Sequence, residues 1–201
     1  MSHSRFHDAI RPLLAVLAIA AASPTYAATV VFSGTEMNDT PPPAPSASCA
    51  AGQVYIAFSP STAITAGTSN FGGFAPTMAH CLTPPPTTYS GGVFEFAFDA
   101  GDLLTGTYSG FITPTAVANV LNTTVDYIVT GGTGRFLGAS GAFQGVGILD
   151  RNPLRPVNNL VLNGVLDLPA VPEPATWAMM LVGLFGLGAS LRAKRRQAIA
   201  A

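Results

Sequence analysis

Residues 92–98 read GVFEFAF. Phe94, Phe96 and Phe98 fall on one face and Glu95 and Ala97 on the other. That period of two marks a strand with one side in a core and the other in water. No part of the body shows the apolar period of an amphipathic helix. Residues 53–58 (QVYIAF), 103–113 (LLTGTYSGFIT), 119–130 (NVLNTTVDYIVT), 136–148 and 160–168 read as further strands, 119–130 being rich in β-branched side chains. Turn chemistry separates them at 99–102 (DAGD) and 131–134 (GGTG). Gly106 and Gly110 read as bulges or points of close approach. Several short strands with glycine turns predict an all-β body, a small antiparallel barrel or sandwich.

Proline sets the strand ends, because it has no N–H to give to a ladder. The run 38–48 (NDTPPPAPSAS) and the three prolines 84–86 read as extended surface loops, and 71–74 (FGGF) as a turn with flanking aromatics.

The two ends carry addresses rather than fold. Residues 1–27 read as a secretory signal peptide, handled by the secretion translocon and signal peptidase. Arg5 and Arg11 precede a short apolar core, Leu13 to Ala22, and cleavage is expected between Ala27 and Ala28. At the other end Pro172, Glu173 and Pro174 precede an uncharged run, 175–191, and a basic cluster of Arg192, Lys194, Arg195 and Arg196. The run has 17 residues, the short end of the roughly 17–25 that span a bilayer. The basic cluster is expected to stay cytoplasmic. One transmembrane helix over 175–191 is the expectation. The order of triplet, apolar run and basic end resembles the PEP-CTERM sorting signal of Gram-negative bacteria. The resemblance covers 171–196 and implies recognition by an exosortase, a membrane-embedded cysteine transpeptidase-like enzyme. It would cut near Pro172–Pro174 and pass the protein to the cell surface or the exopolysaccharide layer.

Between these ends lies one exported domain, 28–170. Its bases are Arg135, Arg151 and Arg155; its acids are Glu36, Asp39, Glu95, Asp99, Asp102, Asp126, Asp150 and Asp167, so three bases against eight acids leave −5. A body without lysine neutralises phosphates poorly, which argues against nucleic-acid binding. Charged residues are only 9 % of the chain, against about 25 % in typical soluble proteins.

Cys49 and Cys81 are the only cysteines. In an exported chain an even count suggests a disulfide, worth about 3 kcal/mol in the loop-entropy model. A metal site would have to use His80, the only histidine of 28–170, which sits in a proline-flanked loop on this reading and has no further Cys or His in the body to complete the set. The same histidine is the sole candidate base for a nucleophile, and no Gly-x-Ser-x-Gly elbow is present. Asp99 and Asp102 read as a solvated turn rather than a catalytic pair. The sequons at Asn38 and Asn122 read as coincidence. Neither cofactor, metal nor enzymatic activity is expected.

The glycine-rich stretch Gly131-Gly132-Thr133-Gly134-Arg135-Phe136, followed by Gly138-Ala139-Ser140-Gly141, lacks the Lys and Ser or Thr of a phosphate-binding loop. It resembles the hairpin of allene-oxide-cyclase-like and dirigent-like proteins. That resemblance implies an eight-stranded antiparallel barrel, often with a central cavity. Arg135 is expected at the hairpin mouth, paired with an acid such as Asp126 or Asp150. The reading is therefore an exosortase-sorted structural or interaction protein of the surface or exopolysaccharide matrix. The alternative is a small-molecule-binding or enzymatic barrel, which a deep, partly polar cavity would favour and a barrel filled by side chains would remove.

Overall fold

The computed structural model describes residues 27–42, 48–59, 64–84, 88–169, 178, 180–189 and 192. The chain divides into two units, 25–171 and the pair of termini 1–24 with 172–201. In the terminal unit residues 180–189 are helical. Among the described residues no helix is long and apolar enough to cross a membrane. The signal peptide (but for Ala27), Pro172, Glu173, Pro174, Lys194, Arg195 and Arg196 lie outside the described residues.

The other unit is one antiparallel sheet that closes on itself. Its strands are β1 (Ala28–Asp39), β2 (Val54–Phe58), β3 (Ala66–Ser69), β4 (Gly72–Thr83), β5 (Thr88–Phe98), β6 (Leu103–Pro114), β7 (Val120–Gly132), β8 (Ser140–Asp150) and β9 (Val157–Leu168). β1 pairs along its whole length with β9, neighbours then follow back through β8, β7, β6, β5 and β4, and β3 joins β4 to β1. β2 and β3 both lie on β4, β2 against its C-terminal half and β3 against its first residues. They share one slot, so the wall is an eight-strand antiparallel barrel.

Pro76 accounts for the break in that slot. It stands between Phe74, partnered by Gly67 of β3, and Met78, partnered by Phe58 of β2. A proline has no N–H for a neighbour, and the slot is interrupted beside it. Two sequence expectations are corrected here. Residues 71–74 are not simply a turn, because Gly72 already begins β4; and His80 is not in a loop but buried on β4. The prolines masked an alternation in which Phe74, Pro76, Met78 and His80 all face inward. β1 was not anticipated at all, and it takes Asn38 and Asp39 out of the expected proline loop into a buried strand end.

Aromatic rings fill the interior, and cross-strand glycines make room for them. Phe94 stands opposite Gly106, Tyr89 opposite Gly110, Tyr108 opposite Gly92 and Phe74 opposite Gly67. Each ring lies over its glycine so closely that a Cβ there would collide with it. Gly106 is both of the things expected of it, a close approach and a register shift after Thr105; Gly110 is a close approach. Cys49 and Cys81 are joined, with their Cα atoms 5.6 Å apart, which ties the segment before β2 to β4.

Candidate ligand-binding cavity

The two ends of the barrel are built differently. At one end Phe96 is fully buried among Phe74, Phe94, Tyr127 and Phe143, with ring centroids 4.4 to 6.1 Å away. Phe98 packs 4.9 Å from Phe136, which a single 3-10 turn (Gly134–Phe136) after β7 drops into this end. Arg135 then covers the plug. Its Nε is 2.8 Å from Asp102 Oδ2, and its guanidinium lies 5.1 Å from the rings of both Phe98 and Phe136. The expected partners Asp126 and Asp150 are instead engaged by Gln144 and Asn152. Gly134 permits this arrangement at a φ of 58°, with the Asp102 carboxylate pressed against it. The glycine-rich motif thus closes the barrel, and Phe94, Phe96 and Phe98 are core.

At the opposite end the barrel is hollow. A cavity of about 270 Å³ lies between Ile56, Phe58, Met78, His80 and Leu82 on one side and Leu121, Thr123, Val125, Tyr127, Leu149, Asn158 and Leu160 on the other, with Tyr89, Tyr108 and Ile112 completing the wall. Thr40, Pro41, Pro42, Arg151, Leu154, Arg155 and Pro156 form its rim. Two contacts hold the rim together. Arg155 Nη2 lies 2.8 Å from Asp39 Oδ2, and the Thr40 amide donates to the Pro156 carbonyl at 2.6 Å.

The position of Tyr89 depends on one glycine. β5 carries one extra residue between Tyr89 and Gly92 relative to β6, and Gly91 takes a φ of 61° there. Such a bulge switches the facing parity of a strand. Tyr89 therefore follows Gly92 into the interior, and its ring stacks 4.5 Å from His80. His80 Nδ1 and the Tyr108 hydroxyl share a hydrogen bond of 2.8 Å. Burial lowers the histidine pKa from 6.5 to about 4, so the ring is neutral. Burial likewise pushes the Tyr89 and Tyr108 hydroxyls up, and they remain protonated.

A buried carboxyl sits behind this wall. Glu36 faces inward from β1 at 1 % exposure. It accepts from Asn38 Nδ2 at 2.5 Å and from the Tyr127 hydroxyl at 2.9 Å. Burial raises its pKa from 4.5 to about 7 against these two bonds, which pull it down. Three residues of the cavity lining, Asn38, Thr123 and Asn158, each carry a buried side-chain oxygen with no hydrogen-bond partner, namely Asn38 Oδ1, Thr123 Oγ1 and Asn158 Oδ1. Buried polar atoms are otherwise satisfied almost without exception in folded proteins. Sequence reasoning missed Glu36, Asn38 and Thr123, because polar residues two apart in a strand ordinarily mark its solvent face and nothing local marks these as inward. Among the described residues no group of three or more His, Cys, Asp or Glu gathers as metal ligands would.

This body is an eight-strand antiparallel barrel, plugged by phenylalanine at one end and hollow, with polar groups, at the other. Residues 170–196 match the model of the PEP-CTERM protein-sorting motif. The motif marks the chain as one sorted by an exosortase and exported through the membrane to the cell surface. Comparison with curated proteins and with solved structures gives no match.

Proposed function

We propose that the protein is a structural or interaction component of the bacterial surface or exopolysaccharide matrix, and not an enzyme. On this reading the signal peptide exports the body, residues 175–191 hold it in the inner membrane with the basic end inside, and an exosortase then removes the tail. The observation that carries the proposal is the sorting motif at 170–196 behind a barrel. The outer wall supports it. Ser33, Asn163, Gln144 and Asp126 stand in register across four strands, all exposed, beside a row of Val31, Val165, Ala142 and Ile128. Such a mildly acidic surface of amides, a hydroxyl, a carboxylate and β-branched chains suits polysaccharide or a second copy.

The mass of the mature protein tests the delivery step. Material from the cell surface or medium is expected to begin at Ala28 and end near Pro172–Pro174, and Glu173→Ala is expected to leave the tail attached and the protein cell-bound. Surface protein that still carries residues 177–196 would sink the proposal.

The cavity favours a second reading, a small-molecule-binding barrel. Its supporting observation is the hollow end with three unpartnered polar atoms, in the setting in which small-molecule sites are found, mostly apolar walls with a few placed polar groups.

A further inference from the structure

We propose that the cavity takes an uncharged ligand of one or two rings, apolar over most of its surface, with hydroxyl groups along one edge. The proposal rests on the small-molecule reading above and names the ligand class for that site.

The polar atoms lie on one side of the barrel. Asn38 of β1 and Asn158 of β9 are direct cross-strand partners. Thr123 of β7 pairs with Gly147 of β8, which brings no side chain between them. The Asn38 amide nitrogen is committed to Glu36, so the group it leaves free is the carbonyl oxygen, an acceptor. The free atom of Asn158 is also its carbonyl oxygen. Asn38 and Thr123 are each 2 % exposed, so bulk water does not serve them. Two of the three free atoms can only accept and the Thr123 hydroxyl can accept as well as donate, so donors suit this wall.

The wall facing it by strand order, β4 to β6, presents rings. Most of their polar atoms are already used, His80 Nδ1 with the Tyr108 hydroxyl and the Tyr89 hydroxyl on the Thr124 carbonyl at 3.2 Å, which leaves His80 Nε2 as the one polar edge among these rings. A flat apolar body against those rings, with donors toward Asn38, Asn158 and Thr123, matches both walls. Both arginines of the lining are exposed at the rim, so nothing inside attracts an anion. A sugar carries hydroxyls on every edge, and Ile56, Met78, Ile112 and Leu149 would leave most of them unpaired. Size agrees. A cavity of about 150 Å³ is enough for benzene, and this one has about 270 Å³.

The test uses the full chain in detergent, with labelled Ile and Met methyl groups read by NMR. The probes are 2,3-dihydroxynaphthalene and 2,3-dimethylnaphthalene, which share a shape and differ in donors. The diol is expected to shift Ile56, Met78 and Ile112 saturably and to leave Ile128 and Ile148 on the outer wall unmoved. It is expected to bind about tenfold tighter than the dimethyl compound. Thr123→Val should remove most of that preference and Thr123→Ser should keep it; Asn158→Leu asks the same question should Thr123→Val not fold. Equal binding of the two probes would overturn the ligand class and leave the small-molecule reading standing. No shift from either would overturn both, with water as the partner of the three atoms. Shifts with glucose alone would overturn the proposal in favour of a sugar.

Discussion

Phe96→Ala is expected to destabilise the barrel by about 4 kcal/mol, the range for removing a buried phenyl ring from a packed site. Phe96 is fully buried and touches rings on three sides: Phe74 at 4.4 Å, Phe94 at 4.9 Å and Tyr127 at 6.0 Å. These neighbours come from β4, β5 and β7, so collapse into the gap would need the wall itself to move. The hollow end behaves otherwise. Leu149 lines the cavity and is half-buried, so Leu149→Ala deletes atoms that already border empty space and should cost under about 2 kcal/mol. Urea midpoints at constant slope measure both. Similar costs for the two variants would mean that the ends are packed alike, and the division into plug and cavity would fall.

That division was half legible in the sequence. The alternation at 92–98 exposed the phenylalanine face directly, because an aromatic at every second position leaves no other strand register. Gly106 and Gly110 were legible as bulges or close approaches, but not as partners of particular rings, and Gly67 and Gly92 were not legible as either. That pairing is a long-range register, Tyr89 against Gly110 or Phe74 against Gly67, and nothing local specifies it. The cavity was hidden for a different reason. Its polar lining includes Asn38 of β1 and His80 of β4, both obscured by proline, and Thr123 of β7 and Asn158 of β9, which nothing local marks as lining. Pro41 and Pro42 made Asn38 and Asp39 look like loop, although the strand ends only after them. Pro76 made His80 look like loop, although a proline beside an interrupted slot costs the sheet nothing. Local propensity fails there because tertiary pairing decides which ladder positions need a donor. Arg135 shows the same limit. Its acid, Asp102, lies 33 residues away on the neighbouring turn, and sequence distance gave no reason to prefer it.

His80→Gln and Glu36→Gln are expected to give the barrel opposite pH dependences where the unaltered protein shows little. Glu36 holds its proton up to about pH 7 in the folded state against an ordinary 4.5. The stability this gives is fully present below pH 4.5 and is lost as pH rises through 7, about 3 kcal/mol over the window. His80 is shifted the other way, to about 4 from 6.5. The unfolded chain takes up that proton first, so the stability from a neutral His80 is present above pH 6.5 and is lost as pH falls toward 4, again by about 3 kcal/mol. From pH 4.5 to 6.5 both windows are open and the slopes, each about 1.4 kcal/mol per pH unit, oppose one another. Removing one group uncovers the other. His80→Gln keeps a polar partner for Tyr108 and should make stability fall from pH 4.5 to 7. Glu36→Gln keeps the bonds to Asn38 and Tyr127 and should make it rise from pH 4.5 to 6.5. The double variant should be flat again. Urea midpoints at half-unit steps decide the matter, and single variants that run parallel to the unaltered protein would show that neither group is held as its surroundings imply. The same balance bears on the cavity. Below pH 6.5 the carboxyl beside Asn38 is mostly uncharged and His80 stays neutral down to about 4, so the pocket keeps an uncharged interior across mildly acidic surroundings. Its free acceptors then select a ligand by its hydroxyl donors and not by its charge.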